Sequence, residues 1–220
     1  MHTTRVWDLP TRLFHWLLAL AVVGLVVTGQ VGGIWMNWHF RLGYSVLTLL
    51  LFRLVWGFVG GCWSRFSQFF YSPSTIWRYI RGQSTPTHSV GHNPLGFLSV
   101  LGMLGFLLLQ VASGLFSDDE IATSGPLSKF ANSEWVSRVS DYHTDIGKFV
   151  ILGLVVLHIA AIAFYCIKKG DNLVRPMLLG DKLTTATMPN ARDDLVSRLL
   201  ALLVLGVCAL AVFALLNWTA

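Results

Sequence analysis

Seven histidines occur in the chain, at positions 2, 15, 39, 88, 92, 143 and 158, and four of them, His15, His39, His143 and His158, fall in or at the ends of long apolar stretches. An ionisable side chain in such a stretch is costly and usually faces a protein interior where it is used. Any one of them, taken singly, reads as a hydrogen-bonded helix-packing histidine; their depths taken jointly ask for more. His143 and His158 are 15 residues apart in one stretch, which on a helix is ~22 Å along the axis and about 60° around it, so both share one broad face. His39 opens its own stretch at the same level as His143, while His15 lies about one turn inside the first stretch, level with His158. Two imidazoles at matched depth on different helices are the axial set of a bis-imidazole b-type haem, and Met/His, Cys or Tyr are the alternative sets. Zinc would want three or four ligands at one depth, and neither level offers them. Two haems therefore fit better, and the absence of a Cys-x-x-Cys-His motif makes them non-covalent.

Other residues fit the same chemistry. Gly43 and Gly147 follow His39 and His143 by four residues, placing a residue without a side chain one turn from each ligand, where a flat macrocycle could lie close. Gly24, Gly29, Gly102 and Gly105 read as ordinary helix-packing positions. Haem propionates need cations near the membrane surfaces: Arg41 and Lys148 are available at one level, and Arg53, Arg5 or Arg12 at the other. Arg53 stands 14 residues from His39, ~21 Å deeper, where snorkelling to the headgroups is the competing role. His88 and His92 precede Pro94 in a loop and read as surface or capping residues. His2 carries no argument.

The elements that must position these side chains follow from composition. The chain has 220 residues, 54% hydrophobic and 12% charged, with a mean hydropathy of +0.62; soluble domains carry about 25% charge. These values exclude disorder, and three cysteines exclude a disulfide scaffold. The net charge of +5 does not indicate nucleic acid, because Lys and Arg form no stripe on one face. A spanning helix needs about 20 mostly apolar residues. Stretches at about Leu13–Gly32, His39–Gly61, Pro94–Ser117, Tyr142 to just before Lys168, and Leu199–Trp218 qualify. The chain is thus expected to be an all-α membrane protein. Eleven Lys and Arg fall in the loops and tail on one side and four on the other, with Arg53 inside a span. The positive-inside rule then puts the N-terminus in the cytoplasm and the C-terminus outside. A cleaved signal peptide at residues 1–30 is the lesser reading, because the apolar run is long and no Ala-x-Ala site follows. Trp35, Trp38 and Trp135 are expected in the outer aromatic belt, and Asp118, Asp119 and Glu120 form an acidic run on the same side.

Taken together, several motifs resemble the bacterial cytochrome b-561 family of di-haem membrane cytochromes, related to the cytochrome b subunits of nickel-iron hydrogenases. They are Arg5-Val6-Trp7-Asp8 with Arg12-Leu13-Phe14-His15-Trp16, His39-Phe40-Arg41-Leu42-Gly43, and Arg53-Leu54-Val55-Trp56-Gly57. Gly91-His92-Asn93-Pro94-Leu95-Gly96, Gly114-Leu115-Phe116 with the acidic run, His143, His158, and Asn172-Leu173-Val174-Arg175-Pro176-Met177 complete the set. The resemblance implies a four-helix transmembrane haem-binding bundle over residues 1–180, with His15, His39, His143 and His158 as axial ligands. Residues 181–220 would add a C-terminal linker and a fifth transmembrane helix.

The function this implies is electron transfer across a bacterial inner membrane through two haem b groups, between the quinone pool and a periplasmic redox partner such as a c-type cytochrome. Quinone, and any quinone oxidoreductase activity, enter through the resemblance and through no motif. The alternative is a haem-bearing anchor subunit of a hydrogenase or another periplasmic oxidoreductase. A third class, a permease relaying a metal ion or protons through the histidines, would be colourless when purified. In each case membrane lipid is the surrounding partner.

Overall fold

A computed structural model describes residues 2–219 of the chain. In chain order the elements are strand β1 (His2–Arg5), helices α1 (Leu9–Val31), α2 (Met36–Val59), α3 (Pro73–Ile80), α4 (Pro94–Phe116) and α5 (Ser133–Asp141), a π-helical turn (Tyr142–Gly147), helices α6 (Lys148–Lys168) and α7 (Val174–Leu179), strand β2 (Asp181–Thr184), and helix α8 (Leu195–Trp218). Among the described residues, five helical stretches are long and apolar enough to cross a membrane: Leu9–Val31, Gly33–Val59, Pro94–Phe116, Ser133–Lys168 and Leu195–Trp218. Their large apolar side chains face outward, as at Leu20 (69% exposed), Val156 (66%) and Leu210 (67%). In water such a surface would be untenable; in lipid it is what backbone-satisfied helices present. The protein is an all-α, multi-pass membrane protein.

Short polar side chains start the helices by accepting the free N–H groups of the first turn. Asp8 accepts from Thr11 N (2.8 Å) at α1, Ser72 from Thr75 N (3.3 Å) at α3, Asn93 from Gly96 N (2.7 Å) at α4, and Asn132 from Trp135 N (2.8 Å) at α5. Asn172 accepts from Val174 N and Arg175 N (both 3.0 Å) at α7, and Asp194 from Ser197 N (2.8 Å) at α8. Pro73 and Pro94 occupy first-turn positions, where a missing N–H costs nothing.

The chain divides into two compact units. One comprises residues 1–15, 53–102 and 156–204; the other 16–52, 103–155 and 205–220. In the first, β1 pairs antiparallel with β2, His2 opposite Thr184 and Arg5 opposite Asp181. Val6, Trp7, Trp63, Val90 and Ala191 pack beside this ribbon. Beneath them lies a buried polar hub: the Asp8 carboxylate, fully buried, also accepts from Gly61 N (3.0 Å), Ser64 Oγ (3.0 Å) and Trp56 Nε1 (3.3 Å). Four donors satisfy the charge without a salt bridge, as burial demands. Asp193 ties the segment before α8 to the same unit, accepting from Arg5 Nη1 (2.8 Å), Leu9 N (3.1 Å) and Arg198 Nε (3.1 Å). The second unit holds the cavity described next.

Candidate functional site

In the second unit, the His39 and His143 rings face each other with centres 6.2 Å apart and planes at 87°. Each is oriented by a backbone carbonyl. His39 Nδ1–H donates to Leu25 O at 3.0 Å, with Thr28 Oγ1 at 3.4 Å. His143 Nδ1–H donates to Gln110 O at 2.9 Å, with Ser113 Oγ at 3.0 Å. A carbonyl can only accept, so both rings carry the proton on Nδ1 and leave Nε2 with a free lone pair, the state in which a histidine ligates metal.

The backbone around His143 is built for this placement. The π-helical turn inserts one residue into the register of the helix, a distortion that recurs at functional sites. Gln110 Nε2 donates to the His143 carbonyl at 2.9 Å. Gln110 thus holds His143 through both its backbone and its side chain.

The two rings border a cavity of about 400 Å³ within this unit. Its walls are mainly apolar, with Val22, Val26, Leu107 and Val111 among them; Tyr44, Asp118, Asp119 and Lys148 also line it. Apolar walls with a few convergent polar groups are the usual form of a cofactor site.

Gly43 lines the cavity, and open space stands where its side chain would be. Gly147 is placed otherwise. It is buried, and the Gln110 side chain fills the position its Cβ would take, so it offers no flat approach to a ligand. The close-approach glycines are instead Gly29 and Gly114. A Cβ at Gly29 would lie 3.1 Å from His39 Cε1, and one at Gly114 would lie 2.8 Å from His143 Cε1. Neither follows its histidine at helical spacing, so spacing alone could not find them. The Gly114-Leu115-Phe116 motif was the only sequence signal at either.

In the first unit, His15 and His158 form a second pair, ring centres 6.3 Å apart and planes at 48°. Arg5 and Arg12, considered as cations for this level, are already engaged. Arg5 pairs with Asp181 (2.6 Å) and Asp193 (2.8 Å); Arg12 donates to Leu178 O (2.6 Å) and lies 3.8 Å from Asp193. Arg53 is buried, its guanidinium 4.9 Å from the centre of the Phe66 ring. His92, expected on the surface, packs against Trp7 and Phe69 with ring centres at 4.8 and 4.6 Å. His88 fits its capping role, accepting from Thr85 N at 3.2 Å. Arg41 stacks on Trp38 at 5.3 Å.

Both pairs pass a simple geometric test for an iron held between imidazoles. Two metal–nitrogen bonds of about 2 Å each, plus roughly 1 Å from nitrogen to ring centre on each side, put ring centres about 6 Å apart. No group of three or more His, Cys, Asp or Glu suited to a metal ion occurs among the described residues.

A model of the prokaryotic cytochrome b561 family matches residues 6–180. Relatives include a probable Ni/Fe-hydrogenase B-type cytochrome subunit of Rhizobium leguminosarum bv. viciae, 27% identical, the match covering 81% of this chain and 88% of the relative. The probable Ni/Fe-hydrogenase 1 B-type cytochrome subunit of Escherichia coli K12 is 25% identical, covering 80% and 88%. The Cupriavidus necator subunit is 26% identical, covering 80% and 86%. No solved structure matches the chain.

Proposed function

The chain belongs to the prokaryotic cytochrome b561 family, and from that premise we propose that it is the haem-bearing membrane subunit of a hydrogenase or related oxidoreductase, carrying electrons through two haem b groups. Membership of the family itself makes it a membrane-spanning cytochrome b of electron transport. The di-haem reading is carried by the two imidazole couples, 6.2 and 6.3 Å between centres, each made of histidines distant in sequence.

His39 and His143 would hold one haem and His15 and His158 the other. When bound, haem supplies a one-electron ferric–ferrous couple whose potential responds to axial ligation, burial and nearby charge. The chain's own part is to orient and insulate. Leu25 O and Gln110 O fix two ring tautomers, apolar walls exclude water, and Gly29, Gly43 and Gly114 leave room beside the rings. Lys148 lines the cavity and is the cation available to a propionate there. The names of the relatives support a hydrogenase or similar oxidoreductase as partner. The Lys and Arg distribution supports a bacterial inner-membrane placement with a cytoplasmic N-terminus and a periplasmic C-terminus.

A second reading, exchange between the quinone pool and a soluble c-type cytochrome, draws on one observation: Asp118 and Asp119 border the cavity and continue into exposed Glu120, a negative face suited to a basic partner.

Purification from native membranes tests these readings. Two low-spin haems per chain are expected, with one lost in His39→Ala and the other in His15→Ala. Fewer than two in the wild-type chain, or retention of both after all four His→Ala changes, overturns the di-haem reading. Co-purification of a large catalytic subunit at equal stoichiometry supports the hydrogenase-type assembly. Co-purification of a small soluble cytochrome in its place supports the second reading.

A further inference from the structure

Within the first unit, Arg53 is a buried cation with no ion-pair partner among the described residues. Its residue is 3% exposed, and its guanidinium carbon lies 4.9 Å from the Phe66 ring centre and 6.0 Å from that of Phe69. Nη1 has no hydrogen-bond partner among the described residues, and none of their ion pairs includes Arg53. Asp8 gives its oxygens to Thr11, Trp56, Gly61 and Ser64. Aromatic faces attract a guanidinium but do not replace a carboxylate, and a desolvated charge without a counter-charge is strongly unfavourable.

A second unpartnered group shares the same aromatic ring. His92 packs on Phe69 at 4.6 Å, and its Nδ1 is buried with no hydrogen-bond partner among the described residues. Burial, followed by the charges of Arg53, His158 and His15, pushes its pKa down to about 3, so the ring is neutral at pH 7 with one N–H to give. Arg53, His92, His15 and His158 all belong to the first unit.

Arg53 and His92 both pack on Phe69, and a planar fork of charged donors together with a neutral N–H is suited to one carboxylate. We propose that Arg53 and His92, both packed on Phe69, form a carboxylate site that holds a propionate of the haem gripped by His15 and His158. This rests on the haem reading above. A haem carries its carboxylates with it to the point where its iron is ligated, whereas a free anion would have to cross the aromatic wall alone.

The test uses the purified haem-loaded chain as wild type, Arg53→Gln, Arg53→Lys and His92→Phe. It reads the propionate bending band in resonance Raman spectra and the midpoint potential of each haem. The band of one haem shifts in Arg53→Gln and in His92→Phe. In Arg53→Gln the reduction equilibrium of that haem alone falls about tenfold, a drop of about 59 mV for one electron; Arg53→Lys restores the potential. Exchange of the native cofactor for its dimethyl ester separates the sources of the carboxylate. With the ester, the Arg53→Gln shift in potential disappears; a shift that persists means a free anion or simple packing and overturns the proposal. Should Arg53→Gln lose the haem, the wild-type chain decides: at least tenfold weaker retention of the ester than of the native cofactor supports the site, and equal retention overturns it. Bands unmoved in every variant, with both haems bound, also overturn it. Failure of the haem reading itself looks different, because the wild-type chain then shows no low-spin haem spectrum.

Discussion

Gly114 backs directly onto the imidazole of His143: a methyl group at its α-carbon would stand 2.8 Å from His143 Cε1, inside van der Waals contact. The ring is tied to Gln110 O on one side and has little freedom to yield. Gly114→Val is therefore expected to displace His143 and release the haem proposed for the His39–His143 couple. Haem content should fall to about half with the remaining spectrum low-spin, and quantitative haemochrome assay checks it. Gly102→Ala, where open space stands above the glycine, should leave both haems in place.

The two couples differ in ring orientation, 87° for His39–His143 and 48° for His15–His158. Near-perpendicular axial imidazoles leave the iron d-orbitals almost degenerate, which gives a strongly anisotropic low-spin signal in electron paramagnetic resonance. The oxidised protein should show two distinct low-spin signals, the more anisotropic of which disappears in His39→Ala. Two identical signals would count against the geometry.

Asp8 is the acceptor on which α1, the end of α2 and the following turn converge. Asp8→Asn keeps the shape but puts an NH₂ where Gly61 N and Ser64 Oγ donate. Loss of charge-assisted hydrogen bonds in a buried site costs about 1–3 kcal/mol. Thermal unfolding in detergent should register this as a lower midpoint, with Ser64→Ala producing a smaller drop.

The Asp193 carboxyl lies outside the spans. Partial burial pushes its pKa up, but hydrogen bonds from Arg198 and Leu9 N and the charges of Arg198 and Arg5 outweigh that and hold it below the usual carboxylate range. A depressed folded-state pKa contributes stability that is complete above the unfolded value and is lost as pH falls through the folded one. Wild-type protein should therefore exceed Asp193→Asn in stability at pH 7, and the gap should close on acidification below about pH 4. Melting curves of the two proteins across that range provide the measurement.

Much of this architecture is legible in sequence because lipid imposes simple rules. Runs of about 20 apolar residues locate the five spans, and the pairing of His39 with His143 and of His15 with His158 follows from helix rise alone. What spacing does not reveal is what lies across from a side chain. Gly147 satisfies the one-turn rule and is nevertheless covered by Gln110, while Gly29 and Gly114 reach the histidines from neighbouring helices. His92 reads as a loop residue because it precedes Pro94; its burial comes from Trp7 and Phe69, residues 85 and 23 positions away. In the two motifs that begin at Gly91 and Asn172, the Asn93 and Asn172 side chains accept first-turn N–H groups of α4 and α7.

The ribbon of β1 and β2 joins residues some 180 positions apart, with Thr4 and Thr184 hydroxyls 2.9 Å from each other. At about 5–20 residues per second of synthesis, the first strand waits roughly ten to forty seconds for its mate. During that interval four membrane segments enter the bilayer while residues 2–5 remain single and solvated. Closure of the ribbon is thus a late event in biogenesis, and chains stopped before Asp181 should be open to proteolysis at their N-terminal strand.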